Sequence, residues 1–506
     1  MQRGSGAGST DEETTKGEGS DTVGRVSQFL ARTLVFFTSA AVLVVEILAV
    51  RLLAPYLGVS LEVFTGIIGV ILAGIAFGAW LGGRAADRME PSRLPGPLMI
   101  AGGLTAMLSP PIIDFFGPHL GLDLFSIVFL ATVGFVVPAA LLTAVTPVIV
   151  KIRLRSLDET GSVVGSYSAV GTAGAIAGTF VTGFFLIAAL PTRPIIAGLG
   201  FLLVVSGALL MVGRNRWLSV AVVAIGAGAA TLLAMADGPC QFETTYHCAE
   251  VVVDAGRPSG RILVLDRGHN SYVDLEDPTY LDFRYLRVMA DVMDSVLPAG
   301  PLNVLSVGGG GFTFPIYLDA VRPGTDHVVL EIDSELLTIG RQELGFEDQA
   351  EVVIADARQS ISEVADGSVD LVIGDAFSGL TVPWHLTTVE FVSIVDSKMG
   401  ESGIYLINVI DYGDHEFARA TARTFLEVFD HVAVFAPPAF IAGTTGGNFV
   451  VAGSRSAIDI PAVLARIGSS GGVEEGIGGV ELERFIGDAI VLRDDFAPVD
   501  QMIERG

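Results

Sequence analysis

The chain has 506 residues, with 30 basic and 56 acidic side chains, a net charge of −26 and 51% hydrophobic residues. That length exceeds one ordinary domain. Residues 241–506 hold 42 of the acidic and 16 of the basic side chains, so the whole imbalance sits in the C-terminal half. Such a surface repels phosphate and disfavours nucleic acid as a partner.

Residues 1–27 are mostly Gly, Ser, Thr and acid, with too few apolar side chains to bury a core. They read as a disordered acidic tail, too polar for a signal peptide. Residues 28–237 then read as a transmembrane bundle. Apolar runs fall near 33–53, 62–82, 96–115, 123–149, 163–190, 194–212 and 217–236, each close to the ~20 residues that cross a bilayer. Seven helices are expected, and Pro110-Pro111 interrupt the end of the third run. Gly74, Gly78 and Gly82 recur four apart on the second run, as do Gly174 and Gly178 on the fifth, a spacing that lets helices approach closely. Glu46 is an intramembrane charge, readable as a substrate or proton site, and Arg51 is expected to snorkel to the interface. With no second buried charge, helix packing explains the bundle better than transport.

Arg84, Arg88 and Arg93 follow the second run, Lys151, Arg153 and Arg155 the fourth, and Arg214 and Arg216 the sixth. Basic loops stay inside, so the N-terminus is expected in the cytoplasm of a cell-membrane protein. An odd number of spans then puts the C-terminal half outside it. The chain has two cysteines, Cys240 and Cys248, just after the last run. A disulfide on an oxidising face fits this orientation, and two reduced, buried thiols remain the alternative. A Cys-x7-Cys spacing beside His247 is not a zinc signature, so no metal site is expected.

Four strand-like runs follow between Asn303 and Asp375. Asn303–Val307 breaks into Gly308-Gly-Gly-Gly311; His327–Ile332 carries Glu331; Glu351–Ile354 leads to Asp356-Ala357; Val369–Gly374 ends at Asp375. In an open parallel sheet these tips share the edge where ligands bind. Taken singly, the glycines could be a tight turn and Asp356 a helix N-cap. Together they suit a nucleoside, and carboxylates on the third and fourth tips suit an S-adenosyl ligand better than a nicotinamide dinucleotide.

With Tyr246, Arg261–Asp266, Phe283-Arg-Tyr285, Val329–Asp333, Ala355-Asp-Ala357, Asp375-Ala-Phe-Ser378, Pro383–Thr387 and Asp494–Pro498, residues 243–500 resemble the spermidine synthase (polyamine aminopropyltransferase) family. The N-terminal half, with Glu46, Arg51 and the Gly82–Arg88 loop, looks like the membrane part of that family's membrane-fused bacterial branch. The resemblance implies a small β-region over 238–300 and a methyltransferase-like, doubly wound α/β (Rossmann) domain over 301–506. It implies decarboxylated S-adenosylmethionine, or a related adenosyl compound, as co-substrate with no prosthetic group, and a small-molecule amine as acceptor. Glu331 would hold the ribose, Asp356 and Ala357 the adenine, and Gly308 and Gly310 would let the sulfonium tail approach. Asp375 would take the proton of the attacking amine, while Tyr285, Asn270 and Ser378 fall at substrate positions. Besides the lipid bilayer, a second copy of the chain, as a homodimer, is a candidate partner.

The departures matter too. The family's loop aspartate falls on Gly311, its second Asp-x-x-Asp acid on Ser378, its Tyr-His-Glu on Tyr285-Leu-Arg287, and its first-domain glutamine near Asn270. Groups that grip ammonium ends are therefore missing. Two functions follow: a membrane-anchored aminopropyltransferase, or an adenosyl-binding or sensing module coupled to the bundle. A doubly wound dehydrogenase ranks third.

Overall fold

The structure, a computed structural model, describes residues 27–121, 123–154, 156–377, 379, 381–503. Residues 1–26 of the expected tail and Ser378 lie outside the described residues.

Seven helices are long and apolar enough to cross a membrane: Gln28–Leu57, Leu61–Arg88, Pro91–His119, Leu124–Arg153, Leu157–Ala189, Thr192–Met211 and Arg216–Met235. They match the seven expected runs. The third departs from expectation by running helically through Pro110-Pro111. Proline removes donors there, while the neighbouring Ser109 hydroxyl donates to the Gly134 carbonyl of the fourth helix at 2.6 Å. The glycine stripes pack as expected. A Cβ at Gly78 would lie 2.2 Å from the Ala140 carbonyl oxygen, and one at Gly174 would lie 2.2 Å from that of Phe36. The backbones themselves are in contact along these rows.

After the bundle, β1 (Phe242–Glu243), β2 (Cys248–Val253), β3 (Gly260–Leu265) and β4 (Gly268–Asp274) form an antiparallel sheet in chain order. Cys240 and Cys248 are disulfide-bonded, with Cα atoms 5.1 Å apart. The larger sheet contains β5 (Asn303–Val307), β6 (Asp326–Glu331), β7 (Glu351–Ile354), β8 (Val369–Gly374), β9 (Met399–Asp411), β10 (His431–Ala436), β11 (Gly447–Ser454) and β12 (Glu475–Gly478). Its order is β12-β10-β11-β9-β8-β5-β6-β7. Strands β7, β6, β5, β8 and β9 run parallel, and β11 enters antiparallel beside β9. The chain leaves β5 towards β6 on one side and returns to β8 on the other. This is the doubly wound arrangement expected, and its switch point opens a crevice between the carboxyl ends of β5 and β8.

Arg51, expected at the interface, is held there by protein groups. Its guanidinium donates to the Thr244 and Thr245 carbonyls at 2.6 Å each and pairs with Glu243 at 3.1 Å. A guanidinium that emerges beside protein carbonyls gains more from several directed hydrogen bonds than from one lipid contact. Glu243 also accepts from the Thr192 backbone N–H at 3.0 Å, so the loop closed by the disulfide binds the ends of two spans. That loop further reaches the larger sheet, where Thr244 Oγ1 donates to Asp333 Oδ2 at 2.5 Å. The basic residues lie at the other end of the bundle, where Lys151 pairs with Asp87. The start of the first span and the C-terminal domain are therefore at opposite ends.

Candidate active site

The four strand tips converge as their order demands, and one cavity of about 260 Å³ is lined by Asn270, Tyr285, Gly308, Gly310, Glu331, Asp356, Ala357 and Asp375 together. Every expected site residue that is described thus lines it.

Gly308 has φ +97°, and a Cβ there would lie 2.6 Å from the Asp375 carbonyl oxygen. Its first role is to let β5 and β8 end side by side, which is what makes the crevice narrow. The next glycines point their amides at β6. Glu331 Oε2 accepts from Gly309 N–H at 2.7 Å and from Gly310 N–H at 3.3 Å, and Oε1 accepts from Asp333 N–H at 2.8 Å. Glu331 is 5% exposed, so the carboxylate is held by backbone donors and keeps further lone pairs for a ligand hydroxyl. Gly311 leaves no room for an acidic side chain. Its N–H donates to Ser271 Oγ at 2.8 Å, and a Cβ would lie 2.6 Å from Ser271 Cβ. The next residue, Phe312, takes φ +58° and stacks on Phe346 with centroids 4.3 Å apart.

Asp356 does cap a helix: Oδ1 accepts from Gln359 N–H at 3.1 Å, while Oδ2 lies 3.4 Å from His385 Nε2. Capping and cavity lining coexist, because each uses a different oxygen. Beneath the cavity Ser306 Oγ meets His327 Nε2 at 2.8 Å, and burial depresses the pKa of His327 to about 3, keeping that ring neutral.

Asp375 sits at the switch point. Oδ2 accepts from the Tyr285 hydroxyl at 2.8 Å and Oδ1 from Asn408 Nδ2 at 2.9 Å. Asn408 Oδ1 in turn accepts from Asn448 Nδ2 at 2.9 Å. Burial raises the pKa of Asp375 to about 6, an effect the hydrogen bonds from Asn408 and Tyr285 oppose. A carboxylate poised there can accept a proton near neutral pH. Across the cavity, Asn270 Oδ1 is buried without a hydrogen-bond partner among the described residues, an acceptor left for a ligand donor.

Reading the sequence missed Asn408, Asn448 and His385 as site residues. Asn408 had a signal: it is a lone amide within residues 404–409, a run whose other side chains are hydrophobic and buried. A polar side chain in such a strand has to find a partner.

No protein-family model matches the chain. The polyamine aminopropyltransferase of Chromobacterium violaceum is 27% identical over 188 residues, covering 37% of this chain and 68% of that protein. That of Aeropyrum pernix is 27% identical over 203 residues, 38% of this chain and 62% of the relative. A solved structure of a probable spermidine synthase from Corynebacterium glutamicum is 26% identical, covers 51% of this chain and 97% of that one, and superposes with a TM-score of 0.47. The curated matches extend over 47–68% of the relatives' own length.

Proposed function

We propose that this chain, a relative of the polyamine aminopropyltransferases, transfers an aminopropyl group from decarboxylated S-adenosylmethionine to an amine, as part of polyamine biosynthesis. The observation that carries the reading is Asp375. It is a desolvated carboxyl with pKa raised to about 6, held by Tyr285 and Asn408 in the crevice that Gly308 makes narrow.

In this reading the nucleoside lies over the tips of β6 and β7, with ribose hydroxyls on Glu331 and the adenine beside Asp356 and Ala357. The acceptor nitrogen attacks the carbon bonded to the sulfonium. The new N–C bond forms as the C–S bond breaks, its electron pair stays on sulfur, and methylthioadenosine leaves. The extra proton on nitrogen passes to Asp375. Sulfur leaves as a neutral thioether, so positioning supplies most of the acceleration. We place the bundle in the bilayer with the N-terminus in the cytoplasm and the C-terminal domain outside, because the basic residues gather at the end remote from that domain.

One observation favours a second reading, an adenosyl-binding module without transfer. Gly311, packed on Ser271, cannot be exchanged for the family's acid without moving β4. Full-length protein in nanodiscs, given decarboxylated S-adenosylmethionine with putrescine, cadaverine or spermidine, decides between them. Aminopropylated amine and methylthioadenosine in equal amounts support transfer. Adenosyl binding with no product from any amine selects the module.

A further inference from the structure

A second cavity, of about 1110 Å³, lies where the bundle meets the C-terminal domain. Its walls are mainly apolar, from the first, second and fifth spans, and include Ile47, Phe64, Ile68, Phe184 and Ile187. Its charges are mostly matched. Arg51 pairs with Glu243 and Arg193 with Asp114 at 2.6 Å, while Asp266 meets His247 Nδ1 at 3.0 Å and accepts from Cys248 N–H at 3.0 Å. Two lining carboxylates, the partly buried Glu46 and the exposed Asp237, have no partner among the described residues. Glu46 is partly buried inside the first span, where an unpaired carboxylate is costly. The cavity therefore offers one partly buried unpaired carboxylate, a second at its exposed rim, and hydrocarbon-like walls.

It also adjoins the active-site cavity. His247 lines both. Val59 lines this one and Gly379 the other, and a Cβ at Gly379 would lie 2.8 Å from the Val59 carbonyl oxygen. Tyr246, in the junction wall, lies in the electrostatic field of Asp333, Asp356 and Glu331.

We propose that the junction cavity binds an aliphatic dication, its ammonium groups at Glu46 and Asp237 and its methylene chain against the apolar wall. Two separated carboxylates select two cationic ends, and the apolar wall rejects a small inorganic cation, which keeps its water. The role of this site as the place where amine is loaded beside Asp375 rests on the transferase reading; the binding itself does not. The active-site cavity complements this, since Asp375 stands among Tyr285, Asn408 and Asn448 with no second carboxylate hydrogen-bonded to that group among the described residues.

The test is calorimetry on full-length protein in nanodiscs with 1,8-diaminooctane, octylamine and 1-octanol as probes. The diamine is expected to bind at least ~10-fold tighter than octylamine, and 1-octanol weaker still, since each charged hydrogen bond contributes ~10- to 100-fold. Glu46→Gln with Asp237→Asn together should weaken the diamine by at least ~10-fold. Gly183→Phe should do so by filling the cavity, because nothing lies within 4 Å of a Cβ at that exposed position. Methylthioadenosine binding, unchanged in all variants, reports that each is folded. Diamine affinity unaltered in both the double carboxylate variant and the filled variant, or 1-octanol binding as tightly as the diamine, overturns the proposal. Diamine binding at these carboxylates with no product leaves the site standing and the transferase reading refuted. Product formation with binding insensitive to the variants does the reverse.

Discussion

Asp375→Asn separates the chemistry of the site from its stability, because the two effects have opposite signs. The amide keeps the shape and can still accept from Tyr285, but it cannot take a proton from the attacking amine. Turnover should fall by ~10²–10⁴-fold with adenosyl binding nearly intact. For stability, the folded pKa of Asp375 is raised from 3.8 to about 6, so the fold disfavours the ionised form. At ~1.36 kcal/mol per unit this is up to about 3 kcal/mol, and about 1–3 kcal/mol after allowing for water in the cavity. The penalty is absent below the unfolded pKa, grows between about pH 4 and 6, and is complete above the folded pKa. Rotation of the Asn408–Asn448 amides to meet the new donor returns ~1 kcal/mol of the gain. The variant should therefore unfold a few degrees above wild type at pH 7.5, with the difference falling to about zero at pH 4.5. Product formation by mass spectrometry and thermal unfolding of the full chain at both pH values are the assays. Turnover within about threefold of wild type refutes Asp375 as the base, and a lower midpoint at pH 7.5 refutes the desolvation argument.

Methylthioadenosine should quench Trp384, which lies beside His385 at the cavity rim; Glu331→Ala should both weaken that binding by ~10- to 100-fold and loosen the glycine loop, whose amides it holds, as faster amide exchange at Gly309 and Gly310. The kcat of the wild type should rise with pH through an inflection near 6, the value burial gives Asp375. Unreduced protein should take up no maleimide, and Cys240→Ser with Cys248→Ser should lower the unfolding midpoint by several degrees, since the bond closes the loop that grips Arg51. Glu243→Gln with Arg51→Met should destabilise less than either change alone, because each single change strands a partly buried charge.

The spans were legible because crossing hydrocarbon demands ~20 apolar residues in a row, a signal that needs no tertiary context. The convergence of the strand tips was legible for a related reason: a parallel sheet places the ends of its strands on one edge, so Gly308, Glu331, Asp356 and Asp375 come together there. What escaped was set by pairing between distant segments. Asn408 and Asn448 meet because β9 and β11 run antiparallel, in a register that puts Asn408 opposite Val450 and Asn448 opposite Ile410. Arg51 looked like an interfacial anchor because its partner, Glu243, is 192 residues away. Gly311 read as a lost acid, whereas Ser271 on β4 shows that the space for that acid is absent.

These distant pairings bear on how the two halves act together. The loop held by the disulfide grips the end of the first span through Arg51 and the tip of β6 through Thr244 and Asp333. On the far side of the crevice, Gly379, four residues beyond Asp375, lies against the carbonyl of Val59 in the turn between the first two spans. The two flanks of the candidate active-site cavity are thus tied to the same end of one helix. A tilt of that helix would move both flanks at once, and Glu46, little more than a turn before Arg51, lies where a bound cation would bias such a tilt. A domain merely tethered by a linker would have neither contact. The docked arrangement ties the junction cavity and both flanks of the crevice to the end of one helix.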